Sequence, residues 1–270
     1  MIPRVQHSIL QGRVPGVSYR LFMYSTSYTR LRAQELAKST KPFLAKGKSV
    51  KRCGDCQMGE FACMCAWRPA AESAVEFVLL MHRKELFKPT NTGRLIIDTF
   101  PGTRAYLWNR LEAPEELKAL LNDPARQCYV VFPADDSGTT TRRVVQSLPA
   151  TSKKITLILL DGTWKQCSRM VGLSRWLDGV PCLSLPETLV RSYTVRDSGK
   201  SDRFSTIEAA ISCLLLAGEA EPAQTLQHYF SVFNQHYLAT RGVCTPEPGE
   251  SHDFLQGVLE ARHSNAHSAA

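Results

Sequence analysis

Five short apolar segments punctuate the middle of the chain. They are VEFVLLMH (75–82), TRAYLW (103–108), QCYVVFP (127–133), KITLILL (154–160) and PCLSL (181–185). Most are continuous apolar runs rather than alternations of apolar and polar residues. Continuous runs of this length are typical of strands in a sheet that is covered on both faces. We therefore predict five buried strands.

Stretches with helical periodicity lie between these runs. They are NTGRLIIDTF (91–100), APEELKALLND (113–123), GTTTRRVVQSL (138–148) and TWKQCSRMVG (163–172). Strands that alternate with helices favour an α/β fold, in which a mostly parallel sheet carries helices on both faces. We expect that fold class for this chain.

Two longer helices are predicted near the C-terminus, over 205–218 and 222–239. The first begins with Ser205 as N-cap and Glu208 three positions later, which is a capping box. Beyond residue 241 the periodic signal is weak. We therefore divide the chain into a basic extension (1–29), a basic helix with a cysteine segment (30–72), an α/β domain (73–241) and a flexible tail (242–270).

The positive charge of the chain is concentrated at its N-terminus. The formal net charge is +8, and residues 1–52 hold 11 of the 33 Lys and Arg residues but only one of the 25 acidic residues, Glu35. A basic arm beside a near-neutral body favours contact with a polyanion such as a nucleic acid. A solvated tail, an organelle-targeting segment or a start at Met23 also explains the composition.

Four of the nine cysteines lie within 13 residues, in CGDCQMGEFACMC (53–65). Cys53, Cys56, Cys63 and Cys65 have the residue type and number of a structural zinc site, which binds four thiolates in a tetrahedron. The single residue between Cys63 and Cys65 departs from the usual two-residue spacing, so free thiols or a redox pair remain alternatives. Because no secretory signal peptide is recognisable, we expect a reducing, cytoplasmic compartment. No apolar run is long enough to cross a bilayer.

Acidic residues follow two neighbouring predicted strands. FPADDS (132–137) follows the third strand, and LDGTW (160–164) places Asp161 and Trp164 after the fourth. Ligands of open α/β sheets bind outside the carboxyl ends of the strands, so both loops are expected on one rim. The alternative is structural: Asp161 can cap the helix that starts near Thr163, and Asp135 can be a turn residue.

Two further polar loops have the composition of anion-binding segments. RSYTVRDSGKSDRFSTIEAA (191–210) contains Arg196 and ends at the capped helix, and KPTNTGRL (88–95) contains Asn91 and Arg94. A helix N-terminus favours a carboxylate ligand. Either loop binds an anionic group or solvates the surface.

Several motifs occur in an order that resembles the DTW-domain family, whose name comes from Asp-x-Thr-Trp. They are RCGDC, LLMHRKELFKPTNTGRL, VVFPADD, LLDGTWKQCSRM and STIEAA, spread over residues 30–240. The resemblance covers most of the chain but neither residues 1–29 nor the last thirty or so. It implies a fold related to the SPOUT methyltransferases, in which loops at the C-terminal end can form a knot. Such knots are rare, and periodicity does not predict one.

The resemblance also implies an activity, that of the bacterial tRNA-uridine aminocarboxypropyltransferases of the family. These enzymes take the 3-amino-3-carboxypropyl group of S-adenosylmethionine and place it on N3 of a tRNA uridine, at position 47 in the variable loop. The second product is 5′-methylthioadenosine. The implied partners are therefore tRNA and S-adenosylmethionine, with zinc as a structural ion. Neither a membrane nor an obligate protein partner is evident.

Carried onto this sequence, the resemblance makes Asp161 the base that removes the N3 proton, or the group that orients it. Trp164 stacks on a base or forms a wall of the pocket, and Thr163 caps or fixes the loop. The remaining expected site residues fall into two groups. S-adenosylmethionine is expected to contact Arg94, Phe132, Pro133, Asp135, Leu160, Arg196, Ser205, Thr206 and Glu208; tRNA phosphates are expected to contact Arg30, Arg32, Lys38, Lys41, Lys46, Lys48, Lys51 and Arg52.

Two other functions fit the same residues. An enzyme of the same fold that transfers methyl to RNA releases adenosylhomocysteine instead of methylthioadenosine. A zinc-stabilised RNA-binding protein without activity uses Asp161 only as a helix cap. Replacing Asp161 with Asn separates a cap from a base, because Asn is a good N-cap residue.

Overall fold

A sheet of six parallel strands forms the centre of the fold in the computed structural model, which describes residues 25–39, 50–133, 142–186 and 204–268. The strands are β1 (Glu76–Met81), β2 (Arg104–Leu107), β3 (Arg126–Val131), β4 (Val144–Val145), β5 (Lys154–Asp161) and β6 (Cys182–Leu183). Their order across the sheet is β2-β1-β5-β3-β6-β4. All five predicted strands are present.

The two longest apolar runs lie beside each other in the interior of the sheet. β5 pairs with β1 on one side and with β3 on the other. The register aligns Phe77 with Leu157 and Met81 with Asp161. Because the pairing is parallel, the carboxyl ends of β1, β3 and β5 reach the same edge of the sheet. The loops after these strands are therefore neighbours.

Seven α-helices and three short 3-10 helices surround the sheet in the described residues. The α-helices are α1 (Ser27–Ala37), α2 (Gly93–Thr99), α3 (Glu115–Leu121), α4 (Trp164–Leu173), α5 (Thr206–Leu216), α6 (Ala220–Gly242) and α7 (Glu250–Ser268). The 3-10 helices are Glu60–Ala62, Cys65–Trp67 and Arg175–Leu177. None of these helices is long and apolar enough to cross a membrane.

Two apolar cores lie on opposite faces of the sheet. Phe77 and Leu79 of β1 belong to the core that includes α2, α5 and α6. Val78 and Leu80 belong to the other core, which includes α3 and α4. Alternate residues of one strand thus face different cores, which explains why the strand sequence is apolar throughout. The prediction of a parallel α/β sheet with helices on both faces is confirmed.

The basic segment before the cysteines is partly integrated into this body. Tyr28 of α1 is buried, and its hydroxyl donates to the carbonyl of Leu86 at 2.8 Å. The Ser27 hydroxyl donates to the carbonyl of Thr103 at 2.9 Å. α1 therefore packs against the α/β domain, although the division by sequence assigned its residues to separate N-terminal segments.

The predicted helix over 138–148 is wrong in its described part. Val144 and Val145 form β4, which pairs with Cys182 and Leu183 of β6. Two consecutive β-branched residues fit an extended edge strand better than a helix. Residues 138–141 lie outside the described part of the chain.

The C-terminal segment differs from the flexible tail that we expected. Residues Glu250–Ser268 form α7, which packs against α6 and against the 3-10 helix Cys65–Trp67. His252 and Leu255 are fully buried in this contact. A few buried residues are enough to hold α7 against the domain. Because they are few, the sequence of α7 shows little periodicity of apolar residues.

A pair of buried histidines attaches α6 and α7 to the cysteine segment. His236 Nδ1 lies 2.9 Å from the carbonyl of Ala62, and His236 Nε2 lies 3.0 Å from His252 Nε2. The amide of Gly249 donates to His252 Nδ1 at 3.1 Å. Since the Ala62 carbonyl only accepts, His236 carries its proton on Nδ1 and His252 on Nε2. Both rings are thus neutral, and burial lowers the pKa of His236 to about 4.

We predict that His236→Ala destabilises the protein by about 2–4 kcal/mol, because it opens a cavity and leaves the buried Ala62 carbonyl without its donor. Leu238→Ala on the same helix is the matched control, since Leu238 is 63% exposed. We expect that control to change stability by less than about 0.5 kcal/mol. Urea unfolding measures both variants. Equal stabilities for the two variants would show that the histidine pair does not hold the segment.

Candidate functional site

The loop after β5 begins at Asp161, the last residue of that strand. Its backbone carbonyl accepts a hydrogen bond from the amide of His82, the first residue after β1, at 2.8 Å. Phe132 and Pro133 follow β3, the other neighbour of β5. The described residues expected on one rim of the sheet, Phe132, Pro133 and Asp161, are therefore neighbours, as the parallel order requires.

The Asp161 side chain is buried inside this rim, with 3% of the residue exposed. Asn91 Nδ2 donates to Oδ2 at 2.5 Å, and the Thr206 hydroxyl donates to Oδ1 at 2.7 Å. Asn91 lies just before α2, and Thr206 is the first residue of α5. Each carboxylate oxygen thus has a donor from a different segment, which offsets the cost of burying the charge.

The helix after this loop is capped by Thr163 and not by Asp161. Gln166 Oε1 accepts from the Thr163 amide at 2.7 Å and from its hydroxyl at 2.9 Å. Thr163 occupies the N-cap position of α4 with an extended backbone. The structural alternative for Asp161, a helix cap, is therefore wrong. Thr163 thus caps α4, and its expected role in the site stays a prediction.

Burial changes the acidity of Asp161. Loss of contact with water raises the pKa of its carboxyl to about 6, although the hydrogen bonds from Asn91 and Thr206 lower it. Removal from water disfavours the charged form, which is the usual cause of such a rise in a buried acid. Asp161 can therefore accept a proton and release it near neutral pH.

A glycine is required where α2 approaches the carboxylate. A Cβ on Gly93 would lie 2.9 Å from Asp161 Oδ2. No ordinary side chain fits at that distance without displacing the carboxylate. The same turn positions Asn91, because Asn91 Oδ1 accepts from the amide of Arg94 at 3.0 Å.

A cavity of about 500 Å³ opens beside Asp161. Its walls come from the ends of β3 and β5, the start of α4 and the start of α5. Phe132 and Trp164 form an aromatic wall, with parallel-stacked rings whose centroids are 5.2 Å apart. The volume falls in the range of pockets that bind small molecules. Among the described residues the lining is Val131, Phe132, Pro133, Leu160, Gly162, Thr163, Trp164, Lys165, Cys167, Leu185, Phe204, Ser205, Thr206 and Ala209.

Most of the predicted ligand-contact residues in the described part of the chain line this cavity. They are Phe132, Pro133, Leu160, Ser205 and Thr206. Glu208 instead caps α5: its Oε2 accepts from the Ser205 amide at 2.7 Å and from the Ser205 hydroxyl at 2.5 Å. Asp135 and Arg196 lie outside the described residues.

Arg94 lies away from the cavity lining. It is buried, donates to the carbonyl of Pro89 at 3.3 Å and has its guanidinium 5.5 Å from the centre of the Phe233 ring. The Arg94 side chain therefore packs between α2 and α6. The sequence shows that Arg94 follows a turn. It does not show toward which side of α2 the Arg94 side chain points.

Asn91 contacts Asp161, and the sequence alone does not indicate this role. The sequence predicts only a turn that binds an anion or solvates the surface. The structure pairs Asn91 with Asp161, which is 70 residues away in sequence. No local pattern encodes a pairing over that distance. The sequence does contain one local indication. The Asn-Thr-Gly segment predicts a turn, which fixes the conformation of Asn91.

The four clustered cysteines converge on one point. Their sulfur atoms all lie within 4.8 Å of one another. Cys53 and Cys65 Sγ are 3.7 Å apart, and so are Cys56 and Cys63 Sγ. A tetrahedron with zinc–sulfur bonds of about 2.3 Å has sulfur–sulfur edges of about 3.8 Å. The thiols therefore fit a zinc ion, while their separation is well beyond the roughly 2.05 Å of a disulfide.

The backbone of the cysteine turn presents the thiols to one another. Gln57 adopts a left-handed conformation, with φ of 59°, and its side-chain amide donates to the carbonyl of Cys53 at 3.3 Å. The amide of Gly59 donates to the Thr240 hydroxyl of α6 at 3.0 Å. Hydrogen bonds from the other three thiols lower the pKa of Cys53. The segment is thus a preformed thiol cluster that is attached to the domain.

The basic residues expected to contact RNA differ in their surroundings. Arg30 is exposed and donates to the carbonyl of Ser25. The other four in the described part of the chain already have protein partners: Lys38 with Glu35, Lys51 with Glu60, Arg32 with the Gln57 side chain and Arg52 with the Gln57 carbonyl. Lys41, Lys46 and Lys48 lie outside the described residues.

Comparison with known proteins places this site within a family. The model of the DTW domain matches residues 50–238. A tRNA-uridine aminocarboxypropyltransferase 2 from Drosophila melanogaster is 25% identical over 184 residues, which are 65% of this chain and 70% of that protein. No solved structure shows significant similarity to the chain. Because the family model spans more than half of the sequence, this chain belongs to the DTW domain family.

Proposed function

We propose that the protein transfers the 3-amino-3-carboxypropyl group of S-adenosylmethionine to N3 of a tRNA uridine and releases 5′-methylthioadenosine. The observation that carries the proposal is the buried Asp161 beside a cavity at the carboxyl edge of the sheet. The name of the Drosophila relative supports the reaction class. The target proposed is uridine 47 in the variable loop.

Uridine N3 needs a base before it can react. It carries a proton, whereas the sulfonium of the donor is already a good leaving group. The reaction therefore needs removal of that proton and alignment of N3 with the γ-carbon of the donor. A carboxylate with a pKa of about 6 matches the first requirement, because it is ionised at neutral pH yet basic enough to accept a proton.

The surroundings of Asp161 support a role as base or orienting group. Its Oδ1 accepts from the Thr206 hydroxyl, and Thr206 lines the cavity. In this proposal Asp161 accepts the N3 proton or orients the N3–H group. In either role, the anionic form is the active one. The Asn91 hydrogen bond to Oδ2 fixes the direction in which the free lone pairs point.

Selection among the three carbons on the sulfur is a matter of position. The donor must be bent so that only the γ-carbon, not the methyl, faces the uridine. Phe132 and Trp164 offer the cavity an aromatic wall for a planar base. Ser205 and Thr206 at the start of α5 are the candidates for binding the donor carboxylate, through their hydroxyls and the first-turn amides outside the capping box, since a helix N-terminus favours an anion.

The tRNA is proposed to contact the basic residues of the N-terminal arm through its phosphates. Such contacts position the RNA without reading its sequence. The target uridine must be turned out of the RNA to reach a cavity at the end of a sheet. Specificity in this proposal therefore comes from the shape of the tRNA.

Zinc is proposed as a structural ion held by Cys53, Cys56, Cys63 and Cys65. Four thiolates fill the tetrahedral positions of zinc and leave none for a substrate. The ion would fix the segment that carries Gly59 and Ala62 against α6. The transfer itself is assigned to the residues around the cavity.

The first test of the proposed function concerns the product. We expect tRNA incubated with the protein and S-adenosylmethionine to gain an aminocarboxypropyl uridine, with one methylthioadenosine released for each modification. Mass spectrometry of the nucleosides and of the small-molecule fraction measures both. A methylated base with adenosylhomocysteine would identify a methyltransferase of the same fold, and tight tRNA binding without product would identify an inactive binding protein.

Asp161→Asn separates catalysis from stability. Asn can still accept from Asn91 and donate to the Thr206 hydroxyl, so we expect the variant to fold. Because burial raises the pKa of Asp161 from 3.8 to about 6, wild-type stability falls as pH rises through that interval, by on the order of 3 kcal/mol. The Asn variant lacks this loss, and its stability relative to the wild type should increase between pH 4 and 7.

The same variant should lose at least about 100-fold in kcat/KM, the usual contribution of a general base. Wild-type kcat/KM should also fall as pH drops below about 6, because Asp161 becomes protonated. Asp123→Asn, a partly exposed aspartate just before β3, is the control and should keep full activity. A fully active Asp161→Asn enzyme would exclude Asp161 as the base.

The metal prediction is one zinc ion per chain, measured by elemental analysis of protein purified without chelators. Cys56→Ser should lose the ion, whereas Cys244→Ser should keep it, because Cys244 is exposed and outside the cluster. If Cys56→Ser does not fold, thiol titration of the wild type with a mercurial should still release zinc. If the protein keeps all of its zinc after the four thiols are blocked, these thiols do not bind the ion.

A further inference from the structure

One face of α4 is exposed and basic. Lys165 and Arg169 are both exposed and four residues apart, so they lie on the same side of the helix. The helix WKQCSRMVGL contains no acidic residue. Its opposite side, with Met170 and Val171, is buried in a core.

The loop after β1 extends this basic face. The Gln166 side-chain amide lies 3.2 Å from His82 Nδ1, which joins the first turn of α4 to the end of β1. The His82 ring stacks on Trp108, with 6.2 Å between ring centroids and 20° between planes. Lys84 follows and is exposed. These contacts hold Lys84 and α4 on one surface.

Charged groups from both the loop after β1 and α4 act on His82. Burial is the main cause that lowers the pKa of His82, and the positive charges of Lys84, Lys88 and Arg169 lower it further. Glu85 acts in the opposite direction, but it forms an ion pair with Lys88. The local charge around the histidine is therefore positive.

Lys84, Lys165 and Arg169 have no ion pair with any residue that the structure describes. This distinguishes them from Lys38 and Lys51 of the N-terminal segment, which pair with glutamates. A cation without a protein partner gives up no ion pair when it binds a phosphate. The three free cations are thus better placed for an anionic partner than the paired lysines.

The surface borders the mouth of the cavity. Lys165 lines the cavity itself, and Gln166, which contacts His82, also binds Thr163 of the lining. A nucleotide whose base enters the cavity must leave its flanking phosphates at this mouth. The spacing of cations along α4 and the adjacent loop suits a phosphodiester chain, because a polyanion binds through several separate cations.

We propose that Lys84, Lys165 and Arg169 form a second phosphate-binding surface, which holds the tRNA backbone next to the target uridine. The inference rests on the proposed function and adds a contact that is separate from the N-terminal arm. The arm positions the body of the tRNA, and this surface positions the nucleotides around the reacting base. It contributes affinity that depends on salt and not on sequence.

The test compares two double charge reversals. Lys84→Glu with Arg169→Glu changes the proposed surface and leaves Lys165 of the cavity intact. Arg104→Glu with Lys153→Glu is the matched control, because these exposed residues lie at the opposite, amino-terminal edge of the sheet. Filter binding of unmodified tRNA at several KCl concentrations gives the affinity and its salt dependence for each protein.

We expect the Lys84/Arg169 variant to bind tRNA at least about tenfold more weakly than the wild type. The slope of log affinity against log salt should decrease by about 1.4, from two lost contacts at roughly 0.7 each. The control should stay within twofold of the wild type. S-adenosylmethionine binding, measured by equilibrium dialysis, should be the same in all three proteins, which verifies that the variants are folded.

Two results would overturn the inference: unchanged tRNA affinity in the Lys84/Arg169 variant, or an equal loss in both double variants, which would reflect net charge alone. Failure of the proposed function gives a different result, because wild-type protein incubated with tRNA and S-adenosylmethionine would then form no aminocarboxypropyl uridine, whatever the tRNA affinities of the variants. The wild-type measurement therefore separates the two.

Discussion

A carboxylate buried at the end of a parallel strand has to be hydrogen-bonded from within the protein, and this constraint organises one edge of the sheet. Asp161 meets it with donors from Asn91 and Thr206, so the starts of α2 and α5 converge on the end of β5. Gly93 permits the close approach. The cavity beside Asp161 has its shape because these segments meet there.

The cysteine segment is attached to the same body by polar contacts that are themselves buried. Gly59 binds Thr240, and Ala62 binds His236, whose other nitrogen binds His252. The order of the segments along the chain therefore conceals their proximity: the thiol cluster near the N-terminus and the last two helices form one contact region. A metal held by the thiols would stabilise both ends of the chain together.

The sequence predicted the elements better than their long-range contacts. Apolar runs identified the five main strands, and Ser205 with Glu208 identified the start of α5, because both signals are local. The helix over 138–148 failed, since a two-residue strand at the edge of a sheet depends on its neighbour β6. The pairing of Asn91 with Asp161 and the buried side of Arg94 depend on how helices pack, which no short pattern encodes. The docking of α7 was hidden for the same reason.

The two partners of Asp161 lie 70 and 45 residues from it in the chain. Contacts of that separation close long loops, and the entropy of loop closure opposes them unless the segments in between are themselves folded. In a partly folded chain Asp161 is an ordinary solvated carboxylate with an ordinary acidity. The unusual acidity of this residue therefore requires β5 and the starts of α2 and α5 to be in contact, and its titration reports that contact as well as the state of the site.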